Sequence, residues 1–203
     1  MSTSGLGRMS RHAISAGVQE RAAEMSAKHQ EIIEELAFPY KASNAYRALL
    51  GLEIHALAAV RAGLRHDNPD VRLHCCRFLD RYLSPDTLSD LMGMLNDSDE
   101  RVRCSALHTL ACDRCKEGTC RPEEADVLPK AMKLLEGDPE AHVRAMAIEV
   151  VGQFVHTNAL AAAAISAVRQ RDENSTVRKK AGWYLPGGPI HRRTKPKLSV
   201  VVG

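Results

Sequence analysis

The sequence predicts an all-α protein, an α-solenoid of stacked antiparallel helix pairs, and three observations lead there. A short pattern recurs four times, at Asp67 to Cys75, Asp97 to Ala106, Asp138 to Ala147 and Asp172 to Ala181. Each copy ends a polar turn with aspartate and places a Val-Arg pair four or five residues on. A small residue follows three past the arginine, and a large apolar one seven past it (Leu79, Leu110, Val151, Leu185). Arg72, Arg103, Arg144 and Arg178 are thus 31, 41 and 34 residues apart, a period that marks a repeat array. Composition is the second observation. Aromatic residues make up only 4% of the chain and alanine is abundant, which favours packed helices over a β-sandwich. The third is the set of helix-start signals between the copies, such as Ser84-Pro85-Asp86 and Arg121-Pro122-Glu123-Glu124. They combine a cap, a proline at the first helical position and early acids.

The elements follow in order. Residues 1–11 are rich in Ser and Gly and read as a disordered leader. Over residues 12–38 Ile14, Val18, Ala22, Met25, Ile32, Ile33 and Leu36 recur largely at helical spacing, predicting an amphipathic helix that caps the array and stops before Pro39. Residues 40–185 form the array. Its first unit, over 40–52, is degenerate, with Tyr46-Arg47 in the Val-Arg place. Helices are then expected near 53–65, 70–83, 86–95, 100–111, 122–136, 141–156, 159–171 and 176–185. Residues 186–203 are left as a basic tail.

A chain of 203 residues with 44% apolar and 26% charged residues is long enough for one well-filled core. Its net charge of +3 does not by itself imply a polyanion partner. No apolar run reaches the roughly 18 residues needed to cross a bilayer, and no secretory signal is legible. A cytoplasmic protein is the expectation, with no membrane partner and with its cysteines as thiols or metal ligands.

The run D-x-x-x-(x)-V-R-x-x-A-x-x-x-L resembles the second half of a HEAT repeat, in the short form found in phycobilin lyases, over about residues 53–185. The resemblance implies a curved helical array that holds another macromolecule. Some relatives are enzymes. Deoxyhypusine hydroxylases bind iron through His-Glu dipeptides, and none occurs here. DNA glycosylases of this kind surround a flipped base with several tryptophans, whereas Trp183 stands alone. Nothing in the sequence marks a bilin pocket.

Four residue groups are candidates for function. The aspartates Asp67, Asp97, Asp138 and Asp172 recur with Arg72, Arg103, Arg144 and Arg178, and are expected to pair within or between turns and tie repeat to repeat. A basic ladder facing a partner is the alternative. Cys75 occupies the small-residue slot, and Cys75, Cys76 and Cys104 read as packing residues. Cys112, Cys115 and Cys120 lie in the insertion that stretches one interval. With His108 one helical turn before Cys112 they make H-x3-C-x2-C-x4-C, a spacing able to hold structural zinc; Cys104 is the other candidate for the fourth ligand, and a redox loop or unlinked thiols are the alternatives. Lys179, Lys180, Trp183, Arg192, Arg193, Lys195 and Lys197 combine charge with aromatics in the way single-stranded nucleic acid requires. Trp183 and Leu185 closing the hydrophobic end of the last repeat, with the basic tail solvated, explain the same residues.

No G-x-S-x-G, phosphate loop or H-E-x-x-H occurs. The expectation is therefore a non-catalytic protein-binding module that uses its concave face. A nucleic-acid module comes second, and a metal or redox protein third.

Overall fold

A computed structural model describes residues 11–112 and 122–196. Among them there is no strand, and eleven α-helices succeed one another. The described residues open with α1 (Arg11–Glu35) and α2 (Pro39–Gly51). Four helix pairs follow: α3 (Leu57–Gly63) with α4 (Pro69–Tyr82), α5 (Pro85–Gly93) with α6 (Glu100–Ala111), α7 (Glu124–Gly137) with α8 (Ala141–Val151), and α9 (Ala159–Arg171) with α10 (Ser175–Trp183). A last short helix, α11, spans Pro189–Thr194.

Local chemistry sets these boundaries. Asn68, Asp99, Asn158 and Asn174 each accept a backbone N–H of the first turn of the helix they precede, satisfying donors that have no intrahelical partner. Ser84 and Thr87 form a reciprocal capping box at α5. The second helices α4, α6, α8 and α10 stack in sequence as one layer. Their apolar stripes (Val71, Cys75, Phe78 and Leu79, then Val102, Ala106 and Leu110, then Val143, Ala147 and Val151) are buried in one continuous core with α3, α5, α7 and α9. The buried Thr109 hydroxyl donates to the Cys76 carbonyl, joining α6 to α4.

Small residues allow the closest approaches. A Cβ on Gly63 would meet the Cys75 sulfur at 2.5 Å, and one on Gly152 would meet the Tyr184 ring at 2.1 Å.

Three expectations differ from what is seen. The amphipathic pattern expected of the first helix does not hold along its whole length: among the described side chains, Ile33 and, just past the helix, Leu36 are buried, while Met25 is exposed. Tyr184, not Trp183, closes the last pair: the phenol ring packs over Gly152 and the indole stays 38% exposed. Of residues 186–203, expected as a tail, the described part up to residue 196 folds back, with Gly187 at φ 86 and the short α11 packed against α10.

Candidate functional site on the second helices

The four arginines share one duty, and three of them have a second. One terminal nitrogen closes the turn before its own helix. Arg103 donates to the Asp97 and Ser98 carbonyls, and Arg144 to those of Asp138 and Pro139. The rest of the guanidinium grips the aspartate of the next turn in bidentate fashion. Arg72 holds Asp97 at 2.7 and 2.8 Å, Arg103 holds Asp138 at 2.8 and 3.0 Å, and Arg144 holds Asp172 at 2.8 and 3.0 Å. Each aspartate also accepts the amide two residues on, which shapes its turn. These pairs lie along the seam between units.

The two ends of the ladder depart from the repeat. Asp67 is exposed and contributes its carbonyl to Arg72; Arg47, in the ladder place of the degenerate first unit, donates to Asn44 instead. Arg178 donates to the Asp172 and Glu173 carbonyls and has no following turn to hold.

A different set of side chains lines a groove along the same layer. On α4, Leu73, Arg77, Asp80 and Arg81 fall at i, i+4, i+7 and i+8, one face of a helix. On α6, Arg101, Cys104, Ser105, His108 and Thr109 do the same, and His142 and Met146 continue the row on α8. With Tyr46 of α2 they line a groove of about 560 Å³.

Its charges are unevenly matched. Arg101 is held by Asp70 and Asp99. Arg77 and Arg81 are exposed and make no ion pair among the described residues. His74 beside the groove is pushed toward its neutral form by burial and by Arg77, and its ring lies 5.3 Å from that of Tyr46. Two buried polar atoms at this edge, Asp80 Oδ1 and His74 Nδ1, have no hydrogen-bond partner among the described residues. Orphans of this kind ordinarily cost about 1–3 kcal/mol each.

The expected metal ligands divide. His108 and Cys112 stand one turn apart at the end of α6, as their spacing predicted. The third group beside them is Asp80, which sequence reasoning passed over. Cys115 and Cys120 lie outside the described residues. Cys104 lines the groove, and burial raises its thiol to about 11.

Of the residues expected to meet nucleic acid, Lys180 is half-buried and paired with Glu149 at 2.5 Å. The Arg192 guanidinium donates to the Gly187 carbonyl. Lys179, Trp183, Arg193 and Lys195 are exposed, and Lys197 lies outside the described residues.

The groove residues carried a signal in the sequence that motif searching does not reach. Positions two before, two after and five after the ladder arginine face outward. Read in that phase, Arg101 and His142, Ser105 and Met146, and Arg77 and His108 form rows. Asp80 carries no such mark, since its counterpart after Arg103 is Ala111.

The family model for HEAT repeats matches residues 30–111 and 57–132, more than half of the chain. The chain belongs to the HEAT-repeat family, and its Arg–Asp ladder continues the array beyond the matched residues to Arg178. Among solved structures, the complex of CpcE and CpcF of phycocyanin lyase from Nostoc sp. PCC7120 is similar, with a TM-score of 0.60 and 20% sequence identity. The match covers 76% of this chain and 96% of that one. A comparison with curated protein sequences gives no match.

The structural match overturns one expectation. A lyase complex is built on this fold, so the lack of a familiar catalytic motif is no ground for calling the chain a non-enzyme. A solenoid can assemble chemistry from groove residues far apart in sequence, which motif spacing does not register. The match involves a complex of two different subunits, and neither it nor the groove geometry supports a nucleic-acid partner. No helix among the described residues is long and apolar enough to cross a membrane.

Proposed function

We propose that this HEAT array binds a protein partner across the groove of α4, α6 and α8, and that the partner presents acidic side chains there. The observation that carries the reading is a contrast between two sets of arginines. Arg72, Arg103 and Arg144 each hold a carboxylate of this chain, whereas Arg77 and Arg81 take none among the described residues and point from the layer into solvent. Guanidinium groups left over in a groove that also offers Tyr46, Leu73 and Met146 suit a partner segment mixing carboxylates with apolar anchors. Solenoids generally bind along such extended faces, and CpcE is found in complex with CpcF.

The test is the double substitution Arg77→Glu and Arg81→Glu, followed by capture of partners on the full chain. Both side chains are exposed, so the melting temperature should stay near that of the wild type while the specific partner is lost. A captured partner that survives both substitutions unchanged counts against the groove.

A second reading is favoured by the groove's size. A volume of about 560 Å³ lies within the range of small-molecule sites, about 300–1,000 Å³, and Arg77 with Arg81 would hold the carboxylates of such a ligand as well as those of a protein. Binding of a carboxylate-bearing small molecule to the isolated chain, abolished by the same substitutions, would favour this reading over the first.

A further inference from the structure

We propose that Asp80, His108 and Cys112 form a binding site for a single divalent zinc-like cation at the C-terminal end of α6. The three residues come from two adjacent second helices. Asp80 lies in the last turn of α4. His108 and Cys112 are four apart at the end of α6, and the hydrogen bond from the Cys112 amide to the His108 carbonyl, 2.8 Å, holds them at that spacing. One ligand atom from each lies within 4.8 Å of the other two, and the Asp80 carboxylate is 3.8 Å from His108 Nε2.

Ligand atoms on a tetrahedral zinc ion lie roughly 3.3–3.8 Å apart, given metal–ligand bonds of about 2.0–2.3 Å. The ligand atoms, within 4.8 Å of one another, are therefore no more than about 1–1.5 Å from the spacing that a tetrahedral ion imposes. A mixed carboxylate, imidazole and thiolate set suits a borderline-soft ion of the zinc type better than magnesium or calcium, which take oxygen.

Two further observations point to a ligand here. Asp80 Oδ1 is buried without a hydrogen-bond partner among the described residues, although its residue also lines an open groove. The oxygen that faces His108 is the other one, Oδ2, and a cation there would offset the charge of a carboxylate left half unpaired. The end of α6 also carries the negative pole of its helix, which favours positive charge. Arg77 and Arg81 oppose a cation, but both are exposed and their field is screened by solvent. The proposal does not rest on the partner-binding reading, because it needs no second molecule.

The experiment uses the full chain, purified reduced and stripped of metal, titrated with zinc in competition with a chromophoric chelator. Cobalt then replaces zinc as a spectroscopic probe. About one ion per chain is expected, with a thiolate-to-cobalt charge-transfer band and the intense visible bands of a tetrahedral site. Asp80→Asn, His108→Gln and Cys112→Ser should each weaken zinc binding by more than about tenfold, the loss that even an outer-shell change can produce. Cys112→Ser should also abolish the charge-transfer band. The His108 side chain is 52% exposed, so His108→Gln tests the site even if Asp80→Asn folds poorly. No ion bound above background overturns the proposal. So does unchanged affinity in a folded Asp80→Asn or His108→Gln protein.

Discussion

Arg103 of α6 holds Asp138 of the following turn through two hydrogen bonds, 2.8 and 3.0 Å long, with both side chains almost wholly removed from solvent. The same guanidinium closes the Asp97 turn through its remaining nitrogen. One side chain therefore links two consecutive turns of the array, and Arg72 and Arg144 repeat the arrangement on either side.

Arg103→Ala should be among the most damaging single changes in the chain. It leaves the Asp138 carboxylate buried and without its cation, a situation that costs about 3–5 kcal/mol. Arg103→Lys keeps the charge but not the fork, and should fall between the two. Urea unfolding followed by circular dichroism provides the ranking; a midpoint for Arg103→Ala equal to that of the wild type would rule out a stabilising role for the pair.

Acid sensitivity follows from Asp172. Burial alone would raise its carboxyl. Hydrogen bonds from Arg144 and from the Asn174 amide, with the charges of Arg144 and Arg178, outweigh burial and leave it below the usual value. A carboxyl lowered in the folded state contributes stability that is present above the unfolded pKa, about 3.9. That contribution is lost as pH falls through the folded value. Melting temperature should therefore drop as pH falls below about 4. In Arg144→Met the dependence contributed by Asp172 should flatten, because burial then opposes ionisation. Parallel pH profiles for the two proteins would contradict this linkage.

The core thiols should be inert in the native protein. Burial raises Cys75 to about 12 and raises Cys76 further, with the neighbouring thiol and Asp97 adding to it. Iodoacetamide at a pH of about 8 should leave both unmodified until the chain is unfolded, as read by peptide mass spectrometry. Rapid native labelling of either would mean that the α3–α4 pair opens.

Gly152→Ala should destabilise the last seam. The added methyl would stand 2.1 Å from the Tyr184 ring, and overpacking of this kind costs about 1–3 kcal/mol. Replacing Tyr184 with leucine in the same protein should recover part of the loss, so the double variant should be less damaged than the sum of the singles. Simple additivity would show that the ring is not what crowds the position.

The array and its phase were legible in the sequence because the ladder is a local motif repeated. Asp, Val-Arg, a small residue and a large apolar one must recur wherever a helix pair meets the next, and the capping signal Ser84-Pro85 marks where α5 begins, whereas Pro122, expected at a first helical position, stands two residues before α7. Asp67 shows the limit of that reasoning. It satisfies the pattern yet its carboxylate holds no ladder arginine, since pairing depends on the unit before it. Trp183 and Tyr184 are neighbours with equal claims to the core, and only the approach of Gly152 decides for Tyr184.

By itself, then, the sequence determined an all-α repeat array, the residues of its seams and the family to which it belongs, because those properties arise from short-range periodicity and composition. The tertiary structure alone decided which outward side chains share a groove, that Arg77 and Arg81 have no carboxylate of their own among the described residues, and that Asp80 comes to stand beside His108 and Cys112. Those relationships join residues some 30 positions apart on different helices, and their distances are set by how the helices stack rather than by any motif along the chain.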